Sequence, residues 1–185
     1  MFNFVTIDGY FAGADDTIDW HPVDDEFNSF AVDFINQCDT ALFGRTTYDL
    51  FASFWSTATS DSNLTTEDHS IARSLTDMRK IVITHNELNT DWEHSETWQG
   101  IDADRIQELK QQDGKNIVIY GSGTIVRQLT ELNLIDEYQV IIAPVILGSG
   151  KLLFEGNSQK HLELIGTKIF SAGNVLLKYG LTIKN

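Results

Sequence analysis

"NIVIYGSGTIVRQLTEL", residues 116–132, decides the fold. It opens with an unbroken apolar run of strand length, as a strand covered on both faces would carry. Gly121, Ser122 and Gly123 break the run, and Ile125, Leu129 and Leu132 then recur at helical spacing. "TALFGRTTYDLF", residues 40–51, repeats the construction. A short buried strand runs through Gly44 into a helix expected over 46–55, with Tyr48, Phe51 and Trp55 on one side. Such units call for a largely parallel sheet packed between helices.

The rest of the chain alternates in the same way. "FNFVTI" (2–7) reads as a strand ended by Asp8 and Gly9, and residues 8–22 read as a loop of the length that functional lids have. From Val23 the period changes: Val23, Phe27, Phe30, Phe34 and Ile35 share one face of a helix with acids in its first turn. Residues 56–65 form a polar loop, followed by a helix to about Leu75 and a strand over 79–85. Residues 91–100 read as mostly irregular, and Ile101, Ala103, Ile106 and Leu109 mark another helix. A long strand follows over 135–146, then "LELIGTKIF" and "NVLLKYGLTI", joined as a hairpin by "SAGN". The expectation is an α/β fold in a single domain, 1–185: a three-layer α/β/α sandwich with a mostly parallel central sheet and an antiparallel C-terminal hairpin.

Composition narrows the function. With 27 acidic and 13 basic side chains the formal charge is −14. A nucleic-acid backbone or an anionic membrane surface needs a basic face that such a chain lacks. A small phosphorylated ligand needs only two or three local cations. The one cysteine, Cys38, excludes an internal disulfide and a cysteine-based zinc site and reads as a buried, inert thiol. No segment reaches the length of a membrane span, and "MFNFVTIDGYF" has neither the basic start nor the cleavage site of a signal peptide, so a cytoplasmic protein is expected.

Both strand-to-helix turns suit an anion. A helix N-terminus presents unpaired N–H groups and about half a positive charge, and glycine admits a close approach. Thr46, Thr47, Ser122 and Thr124 add hydroxyls, and Arg45, the first Lys or Arg of the chain, adds a fixed fork suited to phosphate. Glycine with Ser or Thr also caps helices for structural reasons alone. "GSGTIV" matches a dinucleotide fingerprint only in part, because it follows a late strand and has Val126 at the third glycine position.

In order along the chain, "FVTIDGYFAG" (4–13), "LFGRTTYDL" (42–50), "IVIYGSGTIVRQL" (117–129), "LIDEYQVIIAPVILGSGKLLFEG" (134–156) and the closing strand pair resemble the dihydrofolate reductase-like superfamily. They are most similar to its branch named for the C-terminal reductase domain of riboflavin biosynthesis. The resemblance implies an NADPH-dependent reductase of a small heteroaromatic (pterin- or pyrimidine-like) or carbonyl substrate, working as a homodimer. By matching position it implicates Gly44, Arg45, Thr46, Thr47, Thr84, His85, Gly121, Ser122, Gly123, Thr124 and Ile125 in holding NADPH. Asp8, Phe11 and Trp20 fall near the substrate, and Asp25, among Asp24, Asp25 and Glu26, is favoured as the catalytic acid. All three acids also suit a plain helix first turn. A binding protein that keeps the fold without catalysis is the alternative.

Other features give less. The five histidines lack the spacing of a helical metal pair, so no metal is expected. Ser122 has no His and Asp partners for nucleophilic hydrolysis, and the H-x-E and P-C-x-x-C signature of a zinc deaminase is absent. "PVILGSGKLLFEG" is either a second phosphate loop with Lys151 or a turn where backbones pass closely. Trp55, Trp92 and Trp98 read as packing residues.

Overall fold

Consecutive fully apolar residues place strands inside a parallel sheet, and this holds for Ala41, Leu42 and Phe43, all at most 2% exposed. The computed structural model describes residues 1–88 and 90–182. The chain divides into two compact units, one of residues 25–122 and one of residues 1–24 with 123–185.

In the first unit, β3 (Cys38–Gly44), β4 (Arg79–Ile83), β5 (Ser95–Trp98) and β6 (Asn116–Ile119) form an all-parallel sheet in the order β5-β4-β3-β6. Among the described residues four helices belong to it: α1 (Asp25–Ile35), α2 (Arg45–Ala58), α3 (Thr66–Asp77) and α4 (Ala103–Lys110). Two of them close their own N-termini. Thr65 and Asp68 make a reciprocal capping box on α3, and Asp102 accepts from the Asp104 and Arg105 amides of α4. The end of α3 is held by Lys80, a fully buried lysine of β4 that donates to the Leu75, Thr76 and Met78 carbonyls at 2.7, 2.9 and 2.7 Å. Cys38 is buried as expected, and burial pushes its thiol up to about 11. Trp92 and Trp98 are packing residues, 5% and 2% exposed.

Residues 91–100, read as mostly irregular, contain the short strand β5. Its residues "SETW" carry no apolar run because β5 is an edge strand, paired on one side only, with Glu96 bonded to Arg79 at 2.7 Å. The first helix begins two residues later than expected, and Val23 is 54% exposed.

The second unit pairs β1 (Phe2–Thr6) in parallel with β7 (Glu137–Ala143), then adds β10 (Val175–Leu181) and β9 (Leu162–Ile169) antiparallel, in the order β1-β7-β10-β9. The closing hairpin is therefore present; Ile183, the last residue of its expected second strand, lies outside the described residues. Two short strands, β2 (Tyr10–Ala12) and β8 (Lys151–Leu152), pair separately, so the expected 8–22 loop contains a strand. α5 (Gly123–Glu131) follows the glycine turn, and its Thr130 bonds the buried Tyr138 hydroxyl at 3.3 Å. β7 begins at Glu137 rather than 135 and ends at Ala143, short of the expected 146, where Pro144 has no N–H for the ladder.

The α/β class, with parallel strands and an antiparallel closing pair, is as expected. No helix among the described residues is long and apolar enough to cross a membrane.

Candidate functional site

The order β5-β4-β3-β6 makes β3 and β6 a topological switch point. The chain leaving β3 steps toward β4, while β6 lies on β3's other side. Open α/β sheets take ligands outside the carboxyl ends of such a pair. The registers Leu42↔Ile119 and Gly44↔Ile83 bring the carboxyl ends of β6, β3 and β4 side by side. The segments that follow them are Gly121–Ser122, Gly44–Thr47 and Thr84–His85. Residues far apart in sequence thus meet at one edge of one sheet.

α2 differs from its neighbours at this edge. Its N-cap is Gly44, with φ −80 and ψ 158 and no side chain to cap the helix. The Thr46 and Thr47 amides of the first turn have no partner within the helix, and no side chain caps them. With the helix dipole behind them, such amides favour an anion. Arg45 lies beside them, its side chain 35% exposed. Its Nε donates to both Asp49 carboxylate oxygens at 2.8 and 2.7 Å, and Nη1 donates to the Glu87 carbonyl at 2.8 Å. Nη2 has no partner among the described residues. The pair with Asp49 fixes the fork's direction and adds little stability, since both groups are exposed.

The other residues of the edge have distinct settings. Thr46 and His85 are exposed, and Thr84, 9% exposed, accepts from the Asn86 amide at 3.1 Å. Gly121 (φ +50) and Ser122 (φ +54) are both left-handed. A Cβ on Gly121 would lie 3.0 Å from Thr47, so this position requires glycine for conformation and for space.

Gly123, Thr124, Ile125, Asp8, Phe11 and Trp20 belong to the other unit. Gly123 opens α5 under the Phe11 ring, and a Cβ there would sit 2.5 Å from it. This glycine makes room for an aromatic ring, a reason the sequence did not disclose. Thr124 is exposed, and the Ile125 side chain is 4% exposed in the core. Arg127, not singled out from the sequence, donates to the Leu152 carbonyl at 3.0 Å and to Thr124 Oγ1 at 3.4 Å. A cation one turn inside a helix N-terminus, where the dipole disfavours it, was the available signal.

The Asp8 carboxylate accepts from Thr6 Oγ1 at 2.6 Å and from the Gly148 and Leu147 amides at 2.8 and 3.2 Å. The Thr6 bond, then these amides, hold its carboxyl below the usual range. The loop around Gly148 is therefore a turn tied to Asp8, and Lys151 pairs with Asp16. Gly150 passes directly against the Ala12 carbonyl, the close backbone approach that was the alternative to a phosphate loop. The Trp20 indole N–H is buried without an acceptor among the described residues. Its ring meets His21 edge-on at 4.2 Å, and His21 stacks on Phe4 at 4.4 Å. Burial holds the His21 imidazolium down at about 4, so the ring is neutral at pH 7.

The three candidate acids separate. Asp24 accepts from the Ala172 amide at 2.6 Å, tying down the hairpin turn. Asp25 and Glu26 are exposed at the start of α1, the ordinary setting of first-turn acids.

The parallel strands, the antiparallel closing pair and the glycine turns are those of the dihydrofolate reductase-like α/β fold. The chain belongs to the RibD C-terminal domain family, whose model matches residues 1–177. It is 31% identical over 176 residues to the uncharacterized protein YyaP of Bacillus subtilis, covering 95% of this chain and 90% of that one. Among solved structures it is similar to a putative riboflavin biosynthesis protein from Shewanella sp. PV-4, with a TM-score of 0.72 at 21% identity, covering 98% and 97% of the two chains. It is also similar to a diaminohydroxyphosphoribosylaminopyrimidine deaminase/5-amino-6-(5-phosphoribosylamino)uracil reductase from Thermotoga maritima (TM-score 0.64, 15% identity). There it covers 97% of this chain and 55% of that one, so the present chain spans about half of that protein. Family membership supports a reductase-like role.

Proposed function

We propose that this protein is an NADPH-dependent reductase that transfers hydride to a small heteroaromatic, pterin- or pyrimidine-like, or carbonyl substrate. The observation that carries this reading is the uncapped N-terminus of α2 at the switch point, with Arg45 beside it. The donor set fits a dinucleotide's phosphates: first-turn amides that no side chain caps and a guanidinium nitrogen with no partner among the described residues, in a chain otherwise poor in cations.

In this reading Gly44, Arg45, Thr46 and Thr47 hold phosphate, with Arg45 directed to the 2′-phosphate and Thr84 and His85 flanking it. Gly121 and Ser122 carry the second turn, continued by Gly123, Thr124 and Ile125. When bound, NADPH supplies the hydride. For the substrate the proposal names Phe11 and Trp20 of the other unit, where the Trp20 indole N–H has no acceptor among the described residues, together with Asp8, which holds the turn at Gly148. The proton comes from solvent, relayed by the exposed Asp25 or taken directly from water.

A turnover screen of pyrimidines, pterins and quinones, followed by loss of reduced-nicotinamide absorbance, tests the reaction. Oxidation of NADPH that depends on a member of one class is expected. Cofactor binding with no turnover across all three would favour the non-catalytic alternative, which the exposure of Asp25 keeps in view.

A homodimer and a cytoplasmic setting belong to the same proposal. The edge strand β9 exposes Leu164 (53%), Ile165 (54%) and Ile169 (73%), an apolar surface suited to a second copy. Sedimentation at micromolar concentration should return twice the chain mass of 20.8 kDa. A single-chain mass would remove the dimer from the proposal.

A further inference from the structure

We infer that Thr47 and Ser122 are positioning residues, a clasp that locks the turn after β3 to the turn after β6. This goes beyond a phosphate-contacting role for their hydroxyls, and its functional consequence rests on the proposed cofactor reading.

The clasp is reciprocal. The Gly44 amide donates to Ser122 Oγ at 2.8 Å, and the Ser122 amide donates to Thr47 Oγ1 at 3.0 Å. Each turn thus supplies one amide and one hydroxyl to the other, across 78 and 75 residues of sequence. Ser122 is 7% exposed, so its amide would otherwise be buried without an acceptor. The left-handed backbone at Gly121 and Ser122 is a conformation that L-residues rarely hold without support. The two bonds, together with the contact of Gly121 on Thr47, supply that support.

Beneath the clasp, the Phe43 and Tyr120 rings stack at 6.0 Å and 25°, with Phe51 at 5.3 Å from each. The strand ends are therefore packed as well as hydrogen-bonded. Ser122 takes the Gly44 amide from the other turn, and no side chain caps the first-turn amides of α2 that follow it. One interaction thus sets the spacing of the two turns beside the first turn of α2.

Amide hydrogen exchange on the full chain without ligand tests the clasp independently of any cofactor. Thr47→Val should accelerate exchange at Ser122, Ser122→Ala should accelerate it at Gly44, and Thr47→Ser should restore protection. Unchanged protection in Thr47→Val and Ser122→Ala would overturn the clasp.

NADPH titration then tests its consequence. Each hydroxyl deletion should weaken binding about tenfold, as expected for one buried hydrogen bond. Thr47→Ser should bind within about twofold of wild type, the scale left when the hydroxyl is kept. The double variant Thr47→Val/Ser122→Ala should lose no more than the worse single variant, because both bonds belong to one device. Fully additive losses, with exchange unchanged, would mean that each hydroxyl contacts phosphate separately and would overturn the inference. If the wild type binds no NADPH while the exchange pattern is as stated, the clasp stands and the cofactor reading falls.

Discussion

Arg45→Ala is expected to weaken NADPH binding by about ten- to a hundredfold and NADH binding by less than about threefold, the range of one or two charge-assisted hydrogen bonds. The reasoning is local. Arg45 stands at the first turn of α2, its Nε and Nη1 are committed to Asp49 and Glu87, and Nη2 has no partner among the described residues and is available to a ligand. Those protein bonds hold the fork in one direction before any ligand arrives, which lowers the ordering cost of binding. The 2′-phosphate is the group by which the two dinucleotides differ, so a residue that reads it must separate them. Calorimetric titration of both cofactors into wild type and variant measures the difference. Equal losses would remove Arg45 from the 2′-phosphate and leave it a surface ion pair, whose contribution to stability is small.

Lys80→Met should destabilise the fold by about 3–5 kcal/mol, read as a lowered denaturant midpoint, because buried acceptors would be left without donors. The Lys80 ammonium uses its three protons on three carbonyls at the end of α3 and lies 4.7 Å from the centre of the Trp92 ring. Methionine replaces the stem and supplies no donor. A destabilisation below about 1 kcal/mol would mean that those carbonyls find other partners.

The same residue gives a pH signature. Burial pushes the Lys80 ammonium down to about 8, with Asp77 and Glu93 acting in the opposite direction. An unfolded lysine keeps its proton to about 10.5. Between those values the unfolded chain binds a proton that the folded chain has released, so stability from this group rises with pH. The rise is at most about 1.4 kcal/mol per pH unit, and the methionine variant lacks it. The gap between wild type and Lys80→Met should therefore widen from pH 8 upward. A constant gap would contradict the lowered lysine.

What the sequence disclosed followed from how evenly each element advertised its burial. β3, β6 and α5 were legible because apolar runs and helical spacing change abruptly at glycine. β5 was not, since an edge strand paired on one side reads as polar "SETW". Lys80 interrupts no pattern, yet it is fully buried because the carbonyls of α3 satisfy it.

At the site, the turn residues were legible and their relation was not. Nothing in "GRTT" or "GSG" announces that Gly44 is capped by Ser122, a contact between segments 78 residues apart. The reason for Gly123 was equally hidden, because it depends on Phe11 in the short strand β2. Asp25 was named from its spacing after Trp20, and spacing carries no information about exposure.

The central claim is that the edge formed by β3, β4 and β6 is built for a 2′-phosphorylated dinucleotide. Titrating NADPH and NADH against the intrinsic fluorescence of the chain's four tryptophans tests it most directly. Saturable binding of NADPH at sub-millimolar concentration, tighter than NADH, is the result predicted. Absence of binding by either cofactor in that range would contradict it.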